Sequence, residues 1–87
     1  MSYHCYYQVD STGPIYEFTD NYHYDIEEDV ERESLFTMIA NIHYGDNGRM
    51  WNLNPSHQIV ICEKDGTPIR SMQVDMYLEP TFEAYDR

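Results

Sequence analysis

Six of the nine residues at positions 25–33 are acidic, and Arg32 is the one base among them. Like charges at that density repel one another, so the segment folds only where a structural contact or an external cation offsets them. It opens the one stretch with helical periodicity. Leu35, Met38, Ile39 and Ile42 recur at the spacing of a single helical face, and Val30 and Ile26 extend it toward the start. That stripe is the expected core face. Asp25 is the expected N-cap, Glu28 completes a capping box, and Gly45 stands where a helix closes on a left-handed residue. Together these signals predict a helix over 26–44.

Acidic residues in a first turn favour the helix dipole, which accounts for Asp25, Glu27 and Glu28. Glu27 with Glu31, and Asp29 with Glu33, are like-charged pairs one turn apart, whereas Arg32 with Glu28 is a favourable pair. The surplus negative charge faces either solvent or a basic partner.

Strands are expected on both sides of this helix. Positions 2–9 alternate Tyr3, Cys5, Tyr7 and Val9 against His4, Tyr6 and Gln8. Asp10, Ser11, Thr12, Gly13 and Pro14 supply a turn. Positions 15–24 then resume with Tyr16, Phe18, Tyr22 and Tyr24 in phase, the regular part ending near Asp20, so the two strands make a hairpin. Beyond the helix, 46–56 contains Asn47-Gly48, Pro55 and further asparagines, and reads as a long loop. Trp51 in that loop is expected either to plug the underside of the sheet or to stand exposed as an anchor.

The clearest strand is 57–63, and Asp65-Gly66 marks a hairpin. Positions 68–78 return with Met72, Val74, Met76 and Leu78 on one face and Ser71, Gln73, Asp75 and Tyr77 on the other. Glu79 and Pro80 end that strand, leaving a tail at 81–87 from which Phe82 or Tyr85 packs back. The expected fold is α+β, a single domain over 1–87. It has a four-stranded, mainly antiparallel sheet in the order β-β-α-β-β, with the helix on one face and several tyrosines exposed on the other.

The 87 residues carry 16 acidic and 5 basic side chains, a formal net charge of -11. That sign disfavours direct binding to nucleic acid or to an anionic membrane, and favours a basic protein surface. One tryptophan, nine tyrosines and three phenylalanines separate the chain from acidic sequences that stay disordered for want of anything to bury. Cys5 and Cys62 are expected to be reduced core residues. No signal-peptide run follows Met1 and no segment approaches the ~20 apolar residues of a membrane span, so the expected location is the cytoplasm.

The sequence offers little catalytic chemistry. His4, His23, His43 and His57 match no zinc spacing, no Cys-x-x-Cys or His-x-x-x-His occurs, and the surroundings of Asp20 lack the glycine and alternation of a calcium loop. A nucleophile elbow and a phosphate-binding glycine loop are also missing. Cys5 and His4, as neighbours on a strand, point to opposite faces. The expectation is a protein with no enzymatic activity, no metal and no cofactor.

Carboxylates spaced along a helix can meet lysines and arginines that ordinarily hold a phosphate backbone. The expected electrostatic contacts are Glu27, Glu28, Asp29, Glu31 and Glu33, supplemented by Asp25, Asp20 and Glu17, with Tyr22, Tyr24 and Trp51 as aromatic anchors. In size and charge the chain resembles the small acidic phage or mobile-element proteins that block host defence, such as anti-CRISPR and anti-restriction proteins. The resemblance implies an inhibitor, of which a DNA mimic is one form, acting in the host cytoplasm on a nucleic-acid-binding protein or complex. Two alternatives remain: an immunity or antitoxin-like protein that neutralises a basic toxin, and a structural or regulatory homodimer joined through a tyrosine-rich sheet face.

Overall fold

Period-2 alternation produces five strands rather than the expected four. A computed structural model describes residues 2–11, 13–78 and 81–86, with 77 and 78 by backbone alone. In it β1 (Tyr3–Val9) and β2 (Tyr16–Asp20) precede the helix α1 (Asp29–Leu53), and β3 (Ser56–Cys62), β4 (Pro68–Leu78) and β5 (Thr81–Tyr85) follow it. All pairings are antiparallel, in the order β2-β1-β3-β4-β5. The fold is α+β, with one helix against one face of the sheet. The extra strand comes from the expected tail, where Phe82 lies opposite Met76 and Ala84 opposite Val74. The strand end expected at Glu79 and Pro80 lies outside the described residues, as does Thr12 of the first turn.

Register decides which side chains share the covered face. Cys5 pairs with Phe18, Tyr7 with Tyr16 and Ile61, Val9 with Ile59, and Ile59 with Met72. All of these join the core except Tyr16, which packs against it partly buried. The run Ile59-Val60-Ile61-Cys62 is buried throughout, and β3 is the central strand, flanked by β1 and β4.

The opposite face differs from expectation. Tyr3, Tyr7 and Tyr16 all turn toward the helix side. Among the described side chains the outer face carries Tyr6 and Tyr85 in a polar field. There Ser56 donates to Asp75 (2.6 Å), Gln73 to Ser56 (2.6 Å) and Tyr85 to Asp75 (2.7 Å). The described outer face thus carries two tyrosines set among polar side chains.

The helix is displaced from its predicted span at both ends. It begins at Asp29 with Glu28 as N-cap, so Asp25 lies in the turn before it. It also runs past Gly45 to Leu53, absorbing most of the expected loop, with a kink at Asn47 (φ -134, ψ 36). What holds the second piece is Trp51. Its side chain is fully buried and its Nε1 donates to His43 Nδ1 across the kink at 2.9 Å, so burying the largest side chain outweighs the local turn preference of Asn47-Gly48.

The core face is also rotated. Arg32, Leu35, Phe36, Ile39, Ala40 and His43 are buried, whereas Val30, Met38 and Ile42 are exposed. Both stripes share Leu35 and Ile39. The sheet takes the flank with Phe36, whose ring removes a large apolar area from water, and Ala40, whose small side chain permits close approach.

Cys5 and Cys62 are free and buried. They sit on adjacent strands, but Cys62 faces Tyr6 in register, so the two sulfurs point to opposite sides of the sheet. Burial pushes the Cys5 thiol up to about 12. Among the described residues no helix is long and apolar enough to cross a membrane.

Candidate functional site

The end of β2, the connection 21–28 and the first turns of α1 converge on one corner, and carboxylates dominate it. Tyr24 is buried and donates to Asp20 Oδ2 at 2.6 Å. That hydrogen bond holds the Asp20 carboxyl below its usual range, while burial and the same bond push the Tyr24 phenol up to about 12. Tyr22 is about half exposed and meets Tyr24 edge-to-face, with centroids 4.7 Å apart. The neighbouring Glu31 carboxylate raises the Tyr22 phenol pKa.

The entry to the helix is then built from acids bonded to backbone amides. Glu28 Oε2 accepts from Glu31 N (2.9 Å), Glu31 Oε1 from Asp25 N (3.1 Å), and Asp25 Oδ1 from Glu27 N (3.0 Å). This is capping-box logic displaced three residues from where spacing placed it. The bonds fix the carboxylates and leave their charge in place.

Arg32 supplies the internal offset. Its side chain is 5% exposed and donates to Ile26 O (3.1 Å), Asp29 Oδ1 (2.7 Å) and Asp86 Oδ2 (3.2 Å). The side-chain pair expected with Glu28 is replaced by these contacts, and only the Arg32 backbone N–H reaches Glu28 O. The Asp29 hydrogen bond, chiefly, raises the guanidinium pKa further.

The expected contact residues therefore separate into groups. Asp20, Asp25, Glu27, Glu28 and Glu31 gather at the corner, while Asp29 and Glu33 follow on the helix. Glu17 is elsewhere, on the outer sheet face against His4 at 2.6 Å. Trp51 and Tyr24 are buried and leave the set of exposed anchors; Tyr22 remains. Among the described residues the carboxylates of Glu27 and Glu33 have no hydrogen-bonding or ion-pair partner. The exposed cations Arg49 and Lys64 belong to the last part of α1 and to the turn after β3, outside this corner.

A second cluster lies under the sheet. Trp51 packs edge-on against His57 (4.7 Å) and Phe82 (5.1 Å), and His43 against Tyr7 and Tyr16. His57 Nδ1 is 2.6 Å from Asp10 Oδ2, and Asp10 Oδ1 accepts from Gln58 N. Asp10 adopts a left-handed φ of 62 to make this reach, a conformation that aspartate tolerates better than most residues. The Asp10–His57 pair has the geometry by which a carboxylate orients a histidine in a catalytic triad. No hydroxyl or thiol bonds the buried Nε2 among the described residues, so the nucleophilic half is missing. Nor does any group of three His, Cys, Asp or Glu among them suit a metal ion.

His43 carries a pH dependence. Burial, and secondly His57, lower its pKa below 6.5, against opposing pulls from Asp46 and Asp10. Below about pH 6.5 the unfolded chain takes up a proton that the folded chain resists, so this contribution to stability is complete above that pH and is lost as pH falls. Protonation at Nδ1 also removes the acceptor for Trp51. The urea midpoint of the natural chain should therefore fall between about pH 7.5 and about pH 5.5 relative to His43→Gln, which retains an acceptor and does not titrate.

The Asp10–His57 pair had no signal in the sequence, because its partners are 47 residues apart and meet only through the β1–β3 register. Compared with known proteins, the chain matches no family model, curated protein or solved structure at a significant level.

Proposed function

We propose that the chain is a non-catalytic acidic inhibitor that occupies the phosphate-binding surface of a nucleic-acid-binding protein in the cytoplasm, in the manner of anti-CRISPR or anti-restriction proteins. The observation that carries this reading is the corner itself. Carboxylates of Asp20, Asp25, Glu28 and Glu31 are held in fixed positions by a phenol or by backbone amides, and the only base in the segment is buried beneath them. Fixed like charges raise a local potential that steers a basic surface inward and cost little further ordering on contact. A net charge of -11 extends that field over the whole molecule.

The reading is tested by charge reversal at the unpaired positions. Glu27→Lys with Glu33→Lys is expected to weaken target binding about tenfold or more and to flatten its dependence on salt, while leaving the circular dichroism spectrum unchanged. Unchanged affinity and salt slope in a titration of the double variant would remove the unpaired acids at the start of α1 from the interface and contradict this reading.

A further inference from the structure

A groove separates α1 from β5, and both of its walls are regular. Val30, Ser34, Thr37 and Asn41 lie on one helix flank, outside the buried stripe. Phe82, Glu83 and Ala84 form the other wall of a ≈ 270 Å³ space. A second space of ≈ 250 Å³, reached through the shared residues Thr37 and Phe82, extends it past Met38 to Thr81.

Three successive strand residues line this groove, although Ala84 faces the core and Glu83 faces away from it. Successive side chains alternate across a sheet, so a space touching all three meets the strand along its backbone edge. The strand order places β5 at the end of the sheet, where alternate N–H and C=O groups point away from β4.

We infer that this groove binds an extended, lysine- or arginine-bearing segment of the partner protein, added to the sheet alongside β5. Peptides join sheet edges in this way, with backbone bonds giving affinity and flanking side chains giving selectivity. The charge of the groove identifies the occupant. Glu33 stands on the helix wall and Glu83 on the strand wall, both exposed, and the same walls offer Val30, Met38 and Phe82 to small apolar side chains. A second copy of the chain fits poorly, because edge pairing would set these carboxylates against their own counterparts on a molecule of charge -11. The inference rests on the proposed function and specifies how the acidic chain grips its target.

The test uses the full chain, labelled with ¹⁵N and titrated with a capped peptide of alternating lysine and valine. A control peptide of the same sequence is N-methylated throughout, which keeps every charge and removes every backbone donor. The expected result is amide shifts at Thr81–Tyr85 and at Val30, Ser34 and Thr37, with about tenfold weaker binding of the methylated peptide. Glu33→Lys with Glu83→Lys should weaken the unmethylated peptide by a similar factor. Equal binding of both peptides with shifts confined to 20–28 would overturn the groove while sparing the acidic corner. Absence of binding by either peptide at low salt would overturn both.

Discussion

Trp51→Ala is expected to destabilise the fold by about 3–5 kcal/mol, the range for truncating a fully buried large aromatic. Trp51 has no exposed surface, its ring edge contacts His57 and Phe82, and its Nε1 satisfies His43. Three separate parts of the chain lose their common neighbour at once: the second piece of α1, β3 and β5. Small domains are stable by about 5–15 kcal/mol in total, so the variant should be substantially unfolded at moderate urea. Trp51→Phe isolates the polar component. It keeps most of the ring volume but leaves His43 Nδ1 without its donor, and about 1–3 kcal/mol should be lost. Denaturation followed by far-ultraviolet circular dichroism measures both, since the only tryptophan is the residue removed. An exposed anchor would instead show nearly unchanged stability.

Arg32→Ala is expected to cost about 2–4 kcal/mol through a large-to-small change in a buried position and the loss of charge-assisted hydrogen bonds. Its partners moderate the loss. Asp29 and Asp86 have side chains 79% and 57% exposed, so water can solvate them once the guanidinium is gone. The remaining term is repulsion among the corner carboxylates, and that part should shrink as salt is added. Arg32→Met separates the two components. It refills the volume and removes the buried Nε that has no partner, so it should recover much of the loss at high salt and less of it at low salt. If Arg32→Ala showed the same deficit at every ionic strength, the acidic corner would not be strained by its own charge.

The fold was legible in the sequence wherever one periodicity dominated. Strict alternation in 3–9 and 68–78, and the Asp65-Gly66 turn, led directly to β1, β4 and the hairpin before β4. The helix was legible in kind but not in phase. Leu35 and Ile39 belong equally to two overlapping stripes, and only the sheet beneath decides that Phe36 and Ala40 go inward while Val30 and Met38 remain outside. Its far end was hidden for a related reason: Gly45 and Asn47-Gly48 are genuine breaking signals locally, overridden by the burial of Trp51 several residues later.

For the site, spacing located the acidic segment but could not reveal how its members divide. Glu28 and Glu31 were expected as outward contacts and also serve the cap, Asp29 is drawn to Arg32, and Glu17 belongs to another surface. The groove beside β5 was illegible because the five residues that form the edge strand read only as a tail.

The most direct test of the central claim begins with bacterial proteins retained on heparin, which selects basic phosphate-binding surfaces. The chain is used to capture from this pool, captured proteins are released by a salt gradient, and each is tested for nucleic-acid binding in a mobility-shift assay with and without the chain. The expected result is a protein that elutes as salt rises and that loses its nucleic acid as the chain is added, with Glu27→Lys and Glu33→Lys suppressing both effects. A captured protein that binds nucleic acid and the chain together, or capture that is indifferent to salt and to the charge reversal, would contradict it.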